Sequence, residues 1–313
     1  MRVALVTGSA KGIGRAILLA LAKEGFHVVV HYRTSEGLAE ATRLEAEALG
    51  VKAIKVRADL TREEEVLALV EEVRYHLGGI GVLVNNVGDY LYKPIEEVSL
   101  EEWRWILDSN LTSTFLLTQK VLPLMVAQGY GRIVNLGYAG AQNLLARTHI
   151  TPYAIAKTGV ILYTKAIAKR FAQAGITANV VAPGVAENSV SKPLQEIPMA
   201  RLALLEEIAR AVLFFVREPY VTGQVLEVAG GGTSRNLTLR LSPELVRRAR
   251  ALALKRSLSL NAWVAELLEK EVEREEGLEE AFSRQLSWMR QGILDAGGIP
   301  PSSAPGVLRG HHP

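Results

Sequence analysis

The sequence predicts a doubly wound α/β domain on a seven-stranded parallel sheet, followed by a small module of one strand and two helices. Two observations carry the first part. Short β-branched apolar runs alternate with longer helical stretches from Arg2 to Val228, and a glycine-rich turn follows the first of those runs. A third observation carries the second part. After Gly230-Gly231-Gly232 the pattern changes to an alternating strand and capped amphipathic helices.

The apolar runs fall at residues 3–6, 28–30, 53–56, 82–84, 133–136, 177–181 and 225–228. They are predominantly apolar rather than alternating, as expected of strands covered on both faces. Helical stretches such as 36–49, 62–77 and 101–128 separate them, which implies parallel strands joined by right-handed crossovers.

A chain of 313 residues has room for about two domains. Hydrophobic residues make up 49% and charged residues 22%, an ordinary balance for a globular protein with a large core. The absence of cysteine excludes disulfides, thiolate metal sites and cysteine nucleophiles, and suits a reducing cytosol. No metal site is expected. The first apolar run begins at Val3 without a basic and apolar leader, and no run approaches the ~18 residues of a membrane helix. The expected location is cytoplasmic. A net charge of +3 is too small to argue for nucleic acid by itself.

Thr7-Gly8-Ser9-Ala10-Lys11-Gly12-Ile13-Gly14 lies between the first strand and the first helix. Glycines there allow a tight turn and a close approach to a pyrophosphate, which the helix N-terminus stabilises through its free N–H groups. After the second strand, the position where NAD-binding sites usually place a carboxylate reads His31-Tyr32-Arg33-Thr34-Ser35. Arg33 can pair with a 2′-phosphate and Lys11 adds a second positive charge, so NADP(H) is favoured over NAD(H).

The spacing Thr-Gly-x-x-x-Gly-x-Gly resembles the short-chain dehydrogenase/reductase family, a Rossmann-type fold, and further motifs agree over residues 1–232. These are Asp59 after the third strand, Asn85-Asn86-Val87-Gly88 after the fourth, Asn110, Tyr153-Ala154-Ile155-Ala156-Lys157, Pro183-Gly184, and Tyr220-Val221-Thr222-Gly223-Gln224. The resemblance implies cofactor contacts from Gly8, Ser9, Lys11, Gly12, Ile13, Gly14, Tyr32, Arg33, Asp59, Leu60, Asn86, Val87, Gly88, Tyr153, Lys157, Pro183, Gly184 and Asn188. It also implies that Tyr153 exchanges a proton with the substrate oxygen, that Lys157 lowers the phenol pKa, and that Asn110 holds a water linking Lys157 to solvent.

Two departures fall on the substrate side. The family's serine after the fifth strand is replaced by Tyr138, within Val134-Asn135-Leu136-Gly137-Tyr138-Ala139-Gly140. The segment 188–198, normally a helical lid, is shorter by about a helix, and the family's threonine near the nicotinamide amide corresponds to Asn188. The His31-Tyr32-Arg33 stretch and the short lid also resemble pteridine reductases, which would make a pterin a candidate beside a simple carbonyl or alcohol.

The tail, residues 236–276, resembles a ribbon-helix-helix (CopG/Arc-like) DNA-binding domain, with 277–313 read as a weak helix and a disordered end. Alternation in residues 237–241 points Leu237, Leu239 and Leu241 to one side and Asn236, Thr238 and Arg240 to the other. Ser242-Pro243 and Ser259 are helix-start signals. The resemblance implies that Asn236, Thr238 and Arg240 face a major groove and that the helix start at Ser259 binds a phosphate. Residues 235–270 carry eight basic side chains against three acids, enough for salt-dependent phosphate binding. Such a module cannot bury its apolar faces alone, so a homo-oligomer, dimer or tetramer, is expected. DNA binding and a dimerisation clasp both remain open for it. For the whole chain, so do an NADP(H)-dependent oxidoreductase and a transcriptional regulator using a weakened dehydrogenase domain as an NADP(H) sensor.

Overall fold

A computed structural model describes residues 2–189, 194–231 and 242–256, with single positions 258, 260, 263, 264, 266, 267 and 270. The chain divides into two compact units, Met1–Asn236 and Leu237–Pro313. The first runs β1 (Val3–Val6), α1 (Gly12–Lys23), β2 (His27–Tyr32), α2 (Glu36–Ala48), β3 (Ala53–Arg57), α3 (Glu63–Leu77) and β4 (Val82–Asn85). It continues through α4 (Leu100–Leu107), α5 (Ser113–Gln128), β5 (Gly131–Leu136), α6 (Thr151–Phe171), β6 (Ile176–Pro183), α7 (Leu205–Arg217) and β7 (Val225–Val228).

The strands form one sheet in the order β3-β2-β1-β4-β5-β6-β7, and every neighbouring pair is parallel. Successive side chains of a strand point to opposite faces, so a sheet with helices on both sides favours apolar residues on both of them. β1 shows this directly. Ala4 and Val6 join a core with Ile17, Leu21, Val212 and Phe215, while Val3 and Leu5 join the opposite core with Leu69, Val73, Leu117 and Met125. A fully buried leucine of this kind is worth roughly 2–5 kcal/mol against alanine.

The edges depart from the sequence reading. β7 is only partly buried, with Leu226 exposed and Glu227 half-buried, and β3 is likewise half-covered. Each is an edge strand with one neighbour, so continuous apolarity is not required there. The stretch 101–128 is also not one helix. A π-helical turn at Asp108–Thr112 separates α4 from α5. The carbonyls in and beside this turn accept from small hydroxyls, Ser113 Oγ to Ser109 O at 2.7 Å and Thr114 Oγ1 to Asn110 O at 2.8 Å. Hydrophobic periodicity passes smoothly through such a turn, which is why it is invisible in the pattern.

In the second unit, α8 (Pro243–Lys255) starts as its sequence signals require. Pro243 fills the first turn and the Ser242 hydroxyl accepts from Leu245 N at 3.2 Å. The expected strand 237–241, and with it Asn236, Thr238, Arg240 and also Ser259, lies outside the described residues, as does 277–313. No helix among the described residues is long and apolar enough to cross a membrane.

Candidate active site

The strand order reverses direction between β1 and β4, and there the connections leave to opposite faces and open a crevice at the carboxyl ends of the strands. The turn from β1 into α1 fills one side of it. Gly8 and Gly12 have φ of +63° and +58°, in the left-handed region that glycine tolerates. A Cβ on Gly14 would come within 2.5 Å of Gly8 O and 2.7 Å of Asn86 Nδ2. The neighbouring strand end locks this turn. Thr7 Oγ1 accepts from the backbone N–H of Asn86 and Val87 at 2.8 and 3.0 Å, and Asn86 Nδ2 returns a bond to Thr7 O at 2.9 Å.

Helix α1 has no acidic residue in its first turn and no side-chain cap. Its first N–H groups therefore face the crevice without a built-in anion, the chemistry a phosphate needs. By contrast α3 opens on Glu63, Glu64 and Glu65, and α4 on a Ser99–Glu102 capping box.

His31 ties the turn to β3. Its Nδ1 accepts from Gly8 N at 2.9 Å, so the ring proton sits on Nε2, which donates to Ala58 O at 3.0 Å. Ser9 adds reciprocal bonds, its N–H to His31 O and its hydroxyl accepting from His31 N. Burial holds the imidazole neutral, with its pKa lowered to about 4 against the weaker pull of the Ala58 bond and Asp59.

Toward the expected adenosine end, Lys11 and Arg33 are exposed, and Arg57 Nε donates to Arg33 O at 3.2 Å. Arg57 at the end of β3 thus adds a cation beside Arg33. Asp59 Oδ1 accepts from the Thr61 N–H and hydroxyl at 3.0 and 2.7 Å. Burial works against its charge, but these bonds together with Arg33 and Arg62 hold its carboxyl below the usual range. Tyr32 and Leu60 are buried in the two cores, Ile13 and Val87 pack partly against them, and Gly88 leaves room only for the Asn110 side chain.

On the reaction side, Asn110 sits fully buried in the π turn. Its Nδ2 donates to Asp89 O at 2.8 Å and Ile106 O at 3.0 Å, while Oδ1 is buried without a hydrogen-bond partner among the described residues. Tyr153 and Lys157 lie one turn apart on α6. The Lys157 ammonium donates to Leu136 O at the end of β5, 2.8 Å away, and burial lowers its pKa to about 8. The phenol of Tyr153 runs opposite to the expected lowering. Burial pushes it well above the ordinary range, and the Tyr90 and Tyr138 hydroxyls add to the rise. The ammonium lies 5.6 Å from the Tyr153 ring centre.

Tyr138 follows β5 with its ring 5.5 Å from that of Tyr153, and Tyr90 packs edge-on to Tyr153 at 5.1 Å. Burial raises the Tyr138 phenol, and the positive charge of Arg147 works against that rise. Pro183 O accepts from Ala139 N, and Gly184 N donates to Val228 O, each at 2.9 Å. The Asn188 amide comes within 3.0 Å of where a Gly12 Cβ would stand, so it borders the glycine turn. Beyond it, the described part of the lid holds a single 3-10 turn at Leu194–Glu196, and residues 190–193 lie outside the described set. The structural roles of His31, Arg57 and Tyr90 escape a sequence reading, because their partners are 23 to 63 positions away. Only His31 fell within a stretch that the motif spacing singled out.

The first unit matches the family described as short chain dehydrogenase over residues 2–197. Residues 232–268 match the family described as HicB, not the CopG/Arc-like family expected. One strand and two amphipathic helices form too generic a pattern to separate such modules. Among curated relatives, a 3-oxoacyl-[acyl-carrier-protein] reductase of Synechocystis sp. is 40% identical over 74% of this chain and 96% of its own length. One from Aquifex aeolicus is 37% identical over 74% of this chain and 96% of its own. A solved chain described as a gluconate dehydrogenase from Agrobacterium tumefaciens superposes with TM-score 0.70 at 32% identity, covering 75% of this chain and 97% of that one. Glycine turn, Tyr153–Lys157 pair, sheet order and these matches coincide on the same residues, and the chain belongs to the short chain dehydrogenase family.

Proposed function

We propose that the first unit is an NADP(H)-dependent oxidoreductase that reduces a carbonyl, with Tyr153 as the acid. The observation that carries this reading is the Tyr153–Lys157 pair on α6, its ammonium anchored on Leu136 O, set across the crevice from an uncapped glycine turn. The glycine turn, the free α1 N-terminus and the cations Lys11, Arg33 and Arg57 fit a dinucleotide with a 2′-phosphate. When bound, the nicotinamide supplies the hydride. Tyr153 Oη gives its proton to the substrate oxygen, and a phenol with a raised pKa is suited to remain the donor at neutral pH. Lys157, charged at neutral pH and shielded from water, steadies the phenolate left behind. Asn110 Oδ1 is an acceptor suited to a relay water. The names of the relatives make a 3-oxoacyl thioester the first substrate class to test. The protein works as a dimer or tetramer on this reading.

The test is NADPH oxidation with acetoacetyl-coenzyme A as probe. Tyr153→Phe should lower kcat by about 10³-fold with the NADPH Kd unchanged, since a positioned general acid is worth roughly 10²–10⁴. Wild-type turnover in that variant would overturn the reading.

A second reading is favoured by Tyr138 at the serine position. There the first unit senses NADP(H) with little turnover, and residues 236–276 bind DNA. Gel retardation with genomic fragments, with and without NADPH, tests it. No retardation at low salt sinks it.

A further inference from the structure

We propose that a cleft at the amino end of the sheet, beside the last turns of α1 and α7, is a second binding site. It takes a small organic carboxylate with a flat apolar body. Arg2 and Arg217 hold the carboxylate, and Tyr130 and Phe26 face the body. The glycine turn and Tyr153 lie at the opposite, carboxyl end of the strands, so this site is separate from the crevice and independent of the oxidoreductase reading.

Strand alternation places the arginines. Ala4 of β1 and Val134 of β5 belong to the core shared with α1 and α7. Arg2 and Arg132 each stand two residues earlier, so their side chains leave the sheet on that same face. Arg132 is level with Ala4, since both pair with Val82 of β4. The helices run back against the strands, which brings Arg217 at the end of α7 and Glu24 after α1 to the same end. With Arg2 they rim a cleft of about 350 Å³ over Phe26, Tyr130, Leu213 and Val216. That volume lies at the small end of the range of small-molecule pockets. Leu213 and Val216 are buried members of the core, so the floor is apolar and fixed.

Charge decides the occupant. Arg217 Nη2 donates to Glu24 Oε1 at 2.6 Å, and both side chains are exposed. Arg2 has no carboxylate partner among the described residues. Its Nη1 reaches only Glu24 O at 3.5 Å, and its guanidinium stands 6.0 Å from the Phe26 ring centre. Beside the cleft, the Arg132 guanidinium stacks on the Tyr130 ring at 4.5 Å and donates to Gly131 O and Gly175 O. Arg132 is buried, has no carboxylate partner among the described residues, and keeps Nε without a hydrogen bond. Buried cations are ordinarily paired, yet three arginines here share the single carboxylate of Glu24. An anionic head on an apolar body answers both the surplus charge and the floor. Guanidinium forks match a carboxylate in two-point fashion, and the Tyr130 and Phe26 rings suit a flat body. The exposed Glu24 pair is weak enough for a ligand carboxylate to take its place on Arg217.

The experiment is calorimetric titration of the full chain at low salt with 2-naphthoate as probe. A Kd of about 1 mM or tighter is expected, unchanged by saturating NADP+. Uncharged 2-naphthamide should bind at least about 10-fold more weakly, and added salt should weaken the naphthoate. Arg2→Ala and Arg217→Ala should each cost about 10-fold in Kd, whereas Arg33→Ala at the far end of the strands should cost nothing. Glu24→Gln frees Arg217 and should tighten binding by about 3-fold. A merely structural ion pair would not give that gain. All four side chains are exposed, and thermal unfolding checks that each variant is folded. No binding at about 10 mM overturns the inference. So do equal affinity for the amide, unchanged affinity in Arg2→Ala and Arg217→Ala, or displacement by NADP+.

Discussion

On the side of the crevice built around the glycine turn, Gly8, Gly14, Thr7, Asn86 and His31 interlock through short side chains bonded to backbone atoms. On the substrate side, Tyr138, Tyr153 and Tyr90 meet through ring faces and hydroxyls carried on loops and a helix. At Gly14 there is no room for a side chain, because the space its Cβ would take already holds the Gly8 carbonyl and the Asn86 amide. The second is made of side chains, and a tyrosine stands there in place of the serine that the resemblance implies. On the proposed reading, a site for a shared cofactor and a pocket for a particular substrate are thus held by different kinds of constraint.

The sharpest way to break this comparison is Gly14→Ala against Gly37→Ala. The first puts a methyl 2.5 Å from Gly8 O, while the second, on α2, meets nothing within 4 Å. Gly14→Ala should weaken NADPH binding by at least about 100-fold in a fluorescence titration, or nearly 3 kcal/mol. Gly37→Ala should leave it unchanged. Equal effects would mean that the turn is not sterically set.

His31 gives the next largest effect. Its folded pKa of about 4 lies below the ordinary 6.5, so the unfolded chain binds the proton more readily. The stability it contributes is complete above pH 6.5 and is lost as pH falls toward 4, on the order of 3 kcal/mol. Urea unfolding from pH 7 to 4 should show this slope, and His31→Asn should flatten it. An identical slope in the variant would remove His31 as the link between the turn and β3.

The smallest effect belongs to the exposed cations. Arg33→Ala should reduce the preference for NADPH over NADH by about 10-fold, as the ratio of dissociation constants reads it. An unchanged ratio would shift the assignment to Lys11 or Arg57.

Much of the first unit was legible in its residues because the chemistry there is local. Seven apolar runs specify a sheet covered on both faces, and a glycine turn between strand and helix specifies a phosphate-sized gap. What stayed hidden depends on distant partners. The π turn around Asn110 is held by hydroxyls four residues on, without breaking the apolar pattern. The rise of the Tyr153 phenol comes from burial, which no spacing reveals.

The sequence by itself determined the strand order's raw material, the glycine turn, the Tyr153–Lys157 spacing and the substitution at Tyr138, since each is a matter of residue type at fixed separation. Only the tertiary structure decided that His31 is neutral and holds Gly8, that Lys157 spends its ammonium on Leu136 O, and that Tyr90 packs on Tyr153. Protonation and hydrogen-bond direction follow from desolvation and from which groups meet across the fold, and neither is written along the chain.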